Sequence, residues 1–167
     1  QTPFVLGSMS KAFTGLAVMQ LVEAGKVELD TPVRRYLPWF RVSDEPASAQ
    51  IPPRQLLHHT SGLPKRTPIA EADESLEAHV RKLASVALEQ PPGKRHLYSS
   101  ANYQVLGLII EKVSGEPFGE YVQKHIFQPL GMSHSRTTPP ETDQPGLACG
   151  HRYLFGFPSV ARLPHEK

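Results

Sequence analysis

Apolar residues recur at intervals of three and four along much of this chain, the spacing that gathers them on one face of a helix. Phe13, Leu16, Ala17, Leu21 and Ala24 form the first such stripe. Ahead of it, Phe4-Val5-Leu6 is a short apolar run ending at Gly7, so the segment reads as strand, turn and helix. Ser8 is an acceptable N-cap and Gly25 an acceptable left-handed stop, which predicts a helix from about 9 to 24.

Asp30-Thr31-Pro32 supports only a short turn before Pro38 ends it, and a polar loop follows. Pro52 and Pro53 open a helix through Leu56 and Leu57 that closes at Thr60-Ser61-Gly62. Between Glu74 and Leu88 the residues Leu76, Val80, Leu83, Ala84 and Ala87 again keep helical spacing. After the Pro91-Pro92-Gly93 break, Ser99 or Ser100 can cap a strongly apolar helix through Tyr103, Leu106, Ile109, Ile110 and Val113 to Gly115. This is the helix expected to be most buried. A last amphipathic stretch runs from Pro117 to Phe127, and beyond Pro129-Leu130-Gly131-Met132 the pattern becomes Pro-rich and irregular.

Composition adds little to that picture except by exclusion. The chain has 167 residues, 39% hydrophobic and 20% charged, which suits one domain with a real core. Its 18 basic and 16 acidic residues nearly balance and no run collects Lys and Arg alone, so nucleic acid is not an expected partner. Cys149 is the only cysteine, which excludes an intrachain disulfide and a cysteine metal cage. No apolar stretch approaches the roughly 20 residues of a membrane span. Both ends read as cut: Gln1 to Gly7 hold no leader, and Leu163 to Lys167 close no element.

Chemistry enters at Ser8-Met9-Ser10-Lys11, an SxxK pattern of which about one copy is expected by chance in a chain of this size. Its position counts for more than its spelling. Ser8 stands at the corner into a helix, and Lys11 lies about one turn on, on the same face. A serine hydroxyl is inert until a base takes its proton, and an amine does so once burial near other cations favours its neutral form. The helix N-terminus adds partial positive charge, and the Ser8 N–H is a candidate oxyanion donor. Spacing alone favours the plainer reading, in which Ser8 only caps the helix and Lys11 is a solvated first-turn lysine. His58-His59 is the densest pair among eight histidines, but no HExxH or HxH spacing accompanies it, so His59 reads as support for the Thr60-Ser61-Gly62 loop and no metal or cofactor is expected. Tyr153, Phe155 and Phe157 read as packing residues, with a substrate cleft as the alternative.

The segment Phe4 to Phe13 resembles the nucleophile segment of the class C β-lactamase-like serine hydrolases, a family with penicillin-binding proteins, D-amino-acid peptidases and esterases. Four further segments agree in order. Leu56-Leu57-His58-His59-Thr60-Ser61-Gly62-Leu63-Pro64 is similar to the family's LLxHTSGLP segment. Pro92-Gly93 with Tyr98-Ser99-Ser100-Ala101-Asn102-Tyr103 resembles its PG and YSN, and Gly107 to Gly115 and Pro129 to Met132 match the next two landmarks. The resemblance implies an α+β fold of the β-lactamase/transpeptidase type, an antiparallel sheet with flanking helices plus an all-helical lobe, of which residues 1–167 supply mainly the helical part. It implies Ser8 as nucleophile, Lys11 as its base and Tyr98 as a phenolate that shares the base role and passes a proton to the leaving group. An ester, a β-lactam or a peptidoglycan-like D-amino-acid peptide is the implied substrate. A periplasmic, extracellular or membrane-attached bacterial location is implied in the same way.

The chain departs from the pattern at Ser100, where the family has Asn; a hydroxyl is shorter and lacks the amide's donor and acceptor pair. Asn102 is not an obvious replacement, since two residues on in a helix is another side. The family's Lys-x-Gly or His-x-Gly strand, which carries the second oxyanion donor, is absent, so these residues by themselves are expected to be inactive. The alternative to a hydrolase is a non-catalytic relative that keeps the fold as a binding or regulatory module. Ser100 favours that alternative, and the joint presence of Ser8, Lys11 and Tyr98 opposes it.

Overall fold

The first apolar stripe folds as α1, Lys11–Glu23, preceded by a 3₁₀ turn at Gly7–Ser10. The computed structural model describes residues 2–67, 74–137 and 148, and the backbone of 150–154 and 157–161. Thr14, Ala17, Val18 and Leu21 are buried, whereas Leu16, expected on that face, is exposed together with Met19. The helix is apolar on two sides, and burial selects the one that meets its neighbours. Phe4-Val5-Leu6 does not form the expected strand; all three side chains are exposed, and no strand among the described residues pairs with them. An extended run gains little from its conformation until a partner takes up its N–H and C=O groups.

A 3₁₀ turn at Val33–Arg35 follows Pro32, as the proline predicts, while Asp30 holds Arg54 in a two-pronged ion pair at 2.6 and 2.7 Å. The expected polar loop contains a short helix, α2, Glu45–Ser48, capped by Asp44, which accepts the Ala47 N–H at 2.9 Å. Helix α3 is Pro53–Leu57 and α4 is Leu76–Arg81, the latter capped by the Ser75 hydroxyl on the Ala78 N–H at 3.2 Å.

The periodic stretch from 74 to 88 thus divides. After α4 it tightens into a 3₁₀ turn at Lys82–Ser85 and extends at Val86, whose carbonyl accepts the Ser43 N–H at 3.0 Å. Glu89 donates to the Gly62 carbonyl at 2.9 Å. Backbone partners far away in sequence therefore end a helix that periodicity alone would continue.

Helix α5, Ser100–Ser114, is the centre of the body and packs against α1, α3, α4 and α6, Phe118–Val122. Ala101, Asn102 and every residue from Val105 to Ile110 are buried, which is the burial its apolar pattern predicts. Each fully buried Leu or Ile stabilises the fold by about 1.5–3 kcal/mol relative to exposure. Gly115 closes the helix in the left-handed region at φ 76, where a Cβ would be strained. Neither candidate serine caps it by its side chain: Ser99 is the cap residue, but its hydroxyl makes no cap bond. The final amphipathic stretch stays helical, with α6 running into a wider π turn at Gln123–Phe127, where Phe127 meets Phe13 edge to face at 5.2 Å.

Beyond residue 137 the expected irregular chain contains an antiparallel pair, β1 Gly150–Leu154 and β2 Phe157–Ala161, with Gly150 opposite Ala161 and Leu154 opposite Phe157. The side chains of Tyr153, Phe155 and Phe157 lie outside the described residues, as does Cys149. Among the described residues no helix is long and apolar enough to cross a membrane.

Candidate active site

Ser8 sits inside the 3₁₀ turn and does not cap α1. Gly7 adopts a left-handed φ of 55 and the Ser10 hydroxyl donates to the Gly7 carbonyl at 2.7 Å, which turns the chain and leaves Ser8 exposed. Lys11 is the first residue of α1, and its Nζ lies 3.3 Å from Ser8 Oγ. Spacing by one helical turn produces that contact.

Tyr98 arrives from 90 residues away, and its Oη lies 2.7 Å from Ser8 Oγ. The segment that carries it is tied to the loop after α3: Leu97 N–H donates to the His59 carbonyl at 2.7 Å and Gly93 N–H to the Thr60 carbonyl at 2.7 Å. Lys11 Nζ lies 5.2 Å from the centre of the Tyr98 ring and 5.7 Å from that of Tyr103. These two phenols are pushed in opposite directions. A hydrogen bond from Lys11 and one with Ser8 pull Tyr98 down from 10.0 to about 8, with the Ser100 hydroxyl and the Lys11 charge adding to the effect and partial burial opposing it. Burial pushes Tyr103 up, the neighbouring Tyr98 adds to this, and its hydroxyl donates to the Leu57 carbonyl at 3.2 Å. Tyr98 is the tyrosine whose anion is favoured.

Three of the four residues singled out in the sequence, Ser8, Lys11 and Tyr98, therefore meet as a contact chain; Ser100 is exposed at the start of α5, two residues on from Tyr98, and favours the Tyr98 anion. Asn102 does not join them. It is fully buried, accepting from the Ser61 hydroxyl at 2.5 Å and lying 3.1 Å from His59 Nδ1.

His59 is buried, while His58 beside it is exposed. The Ser99 N–H donates to His59 Nδ1 at 3.2 Å, so that nitrogen carries a lone pair and the Asn102 amide is the donor toward it. Burial, then the charges of His96 and Lys11, push the imidazole below its usual 6.5. Besides bordering the Thr60-Ser61-Gly62 loop it was expected to support, its ring lies 4.6 Å from the Tyr98 ring. One signal for Asn102 was present in the sequence: it falls on the stripe of Val105, Leu106 and Ile109, where a polar residue needs a buried partner. Among the described residues, no group of three or more His, Cys, Asp or Glu could hold a metal ion.

Comparison with known proteins adds an independent line. The chain is 35% identical over 150 residues to penicillin-binding protein 4 of Amycolatopsis lactamdurans, covering 89% of this chain and 39% of that relative. It is 33% identical over 152 residues to the teichoic acid D-alanine hydrolase of Staphylococcus aureus strain MRSA252, covering 91% of this chain and 37% of that one. Among solved structures, EstCE1, a hydrolase with promiscuous acyltransferase activity, superposes with a TM-score of 0.81 at 32% identity, over 99% of this chain and 49% of that chain. The chain spans less than half the length of each. The Beta-lactamase family model matches residues 1–164, and with that match running through nearly all of the sequence, the chain belongs to the Beta-lactamase family.

Proposed function

We propose that the whole protein is a serine hydrolase that works through an acyl-enzyme, with Ser8 as nucleophile activated by Lys11 and Tyr98. Residues 1–167 supply mainly the helical part of an α+β domain of the β-lactamase/transpeptidase type, together with the antiparallel pair β1 and β2, and do not include a Lys-x-Gly or His-x-Gly strand. The reading is carried by one observation: the 2.7 Å contact of Ser8 Oγ with a phenol that is pulled down to about 8. A structural tyrosine has no need of a favoured anion.

In the first step Ser8 Oγ attacks the acyl carbonyl while its proton passes to the Tyr98 phenolate, and the Lys11 ammonium holds the phenolate in its charged form until then. The negative charge moves to the former carbonyl oxygen. Ser8 N–H, in the first turn of a helical segment, has no acceptor within that segment and serves as one donor to it. Collapse breaks the bond to the leaving group, which takes the proton from Tyr98. Water, giving its proton to the regenerated phenolate, then attacks the Ser8 ester, and as the Ser8 Oγ–acyl bond breaks Tyr98 returns that proton to Ser8 Oγ and the acid is released.

The substrate class is an ester, a β-lactam or a D-amino-acid peptide; the relatives are named for penicillin binding, for teichoic acid D-alanine hydrolysis and as a hydrolase with acyltransferase activity. Ser100 lines the substrate side, and its single hydroxyl makes it a weaker holder of an amide than the family's Asn. A fluorophosphonate given to the whole protein is expected to phosphonylate Ser8 with loss of fluoride, read as the mass of the phosphonyl group on that residue, and Ser8→Ala to abolish both adduct and turnover. Absence of a Ser8 adduct with fluorophosphonates and penicillins alike overturns the hydrolase reading.

A further inference from the structure

His59 occupies a backbone position that glycine would fill at less cost. Helix α3 ends with the His59 N–H on the Leu56 carbonyl at 3.2 Å and the Thr60 N–H on the Gln55 carbonyl at 2.8 Å, which places His59 at the left-handed position of a Schellman turn. Its φ is 56, and it is the one residue other than glycine with positive φ among the described residues. The turn needs no side chain there, and a strained backbone persists only where its surroundings hold it.

The side chain has its own set of partners. Its Nδ1 accepts the Ser99 N–H at 3.2 Å, fixing the residue next to Tyr98, and the ring lies 4.6 Å from the Tyr98 ring at an interplanar angle of 33°. Asn102 at 3.1 Å and, behind it, Ser61 at 2.5 Å lock the imidazole from the buried side. From these contacts we infer that His59 is a positioning residue, which holds the Tyr98 phenol against Ser8 through its ring face and through the Ser99 backbone. The inference rests on the hydrolase reading for what Tyr98 does, but the placement of the phenol is measurable without turnover.

A merely structural histidine and a positioning one differ in their response to His59→Gly. Glycine suits the turn, so the fold is retained while the ring and the acceptor are lost. In the whole protein, the Tyr98 phenol, read as the tyrosinate absorbance difference from Tyr98→Phe, should then titrate well above its value of about 8. A displacement of this kind lowers kcat by about 100-fold, with KM changed by far less. His59→Asn, which tolerates the same backbone and keeps an acceptor near the place of Nδ1, should recover part of both losses. A folded His59→Gly protein with wild-type Tyr98 titration and wild-type kcat overturns the inference. Should that variant fail to fold, Asn102→Ala, which suits the helix, takes the same measurements, and an unmoved Tyr98 titration there overturns it as well. A protein that never acylates Ser8 removes the hydrolase reading alone, since the titrations still report whether His59 places the phenol.

Discussion

Tyr98 and Tyr103 both face Lys11, and their environments separate them. The Lys11 and Ser8 contacts lower Tyr98 to about 8, while burial raises Tyr103. If the phenolate is the base, only about a tenth of Tyr98 is ionised one pH unit below its pKa, so kcat/KM should rise with pH through about 8 and level off above it. In a pH–rate profile on an activated ester, Tyr98→Phe should lose that limb and lower the plateau by about 10²–10⁴-fold, the usual contribution of a positioned base. Tyr103→Phe should keep the limb. A profile flat between pH 6 and 10 would falsify the assignment of Tyr98 as base. The contact of Ser8 with Lys11 was legible at this scale because about one helical turn separates them, while the roles proposed for the pair came from resemblance. Tyr98 was legible only through resemblance, since nothing local in its sequence points to a serine 90 residues away.

The elements that matter most to the site are two loops, one after α3 and one before α5, joined by backbone hydrogen bonds at Gly62–Glu89, Thr60–Gly93 and His59–Leu97. At Gly62 the two main chains lie close together. Its φ is 86, and a Cβ at that position would run into the backbone carbonyl oxygen of Gln90. Gly62→Ala therefore combines a disfavoured conformation with a collision against main chain, and it should lower stability by about 2–4 kcal/mol in urea unfolding. Because the same ladder carries Tyr98, activity should fall further than stability alone explains. The Pro91-Pro92-Gly93 break is where the sequence marks it, whereas the helix expected to close at Thr60-Ser61-Gly62 ends earlier, at Leu57, with His59 in the left-handed position. Their pairing is not legible, nor is the shortened α4, because each depends on hydrogen-bond partners outside the local window. The short α2 had a readable signal in Asp44-Glu45-Pro46, a cap residue with proline in the first turn.

At the scale of the whole molecule, α5 joins the helices into one body, so damage to it should be felt globally. Leu106→Ala removes a fully buried side chain from its centre and should cost about 2–5 kcal/mol, measured as a fall in the urea midpoint with an unchanged slope. The exposed Phe4, Val5, Leu6, Met9, Leu16 and Met19 show the limit of reading burial from pattern. A stripe reports that residues can be buried together, and the neighbouring elements determine which side is. What the sequence by itself determined is local and periodic: the central helix, the Ser8–Lys11 turn and the glycine stops at Gly25 and Gly115 follow from side-chain spacing and backbone sterics within a few residues. Only the tertiary structure decided that Tyr98 reaches Ser8, that Ser99 gives its N–H to a histidine, and that Asn102 turns inward to Ser61 and His59. Those contacts join residues 40 to 90 positions apart, and their free energy exists only after the helices have packed and taken the intervening groups out of water.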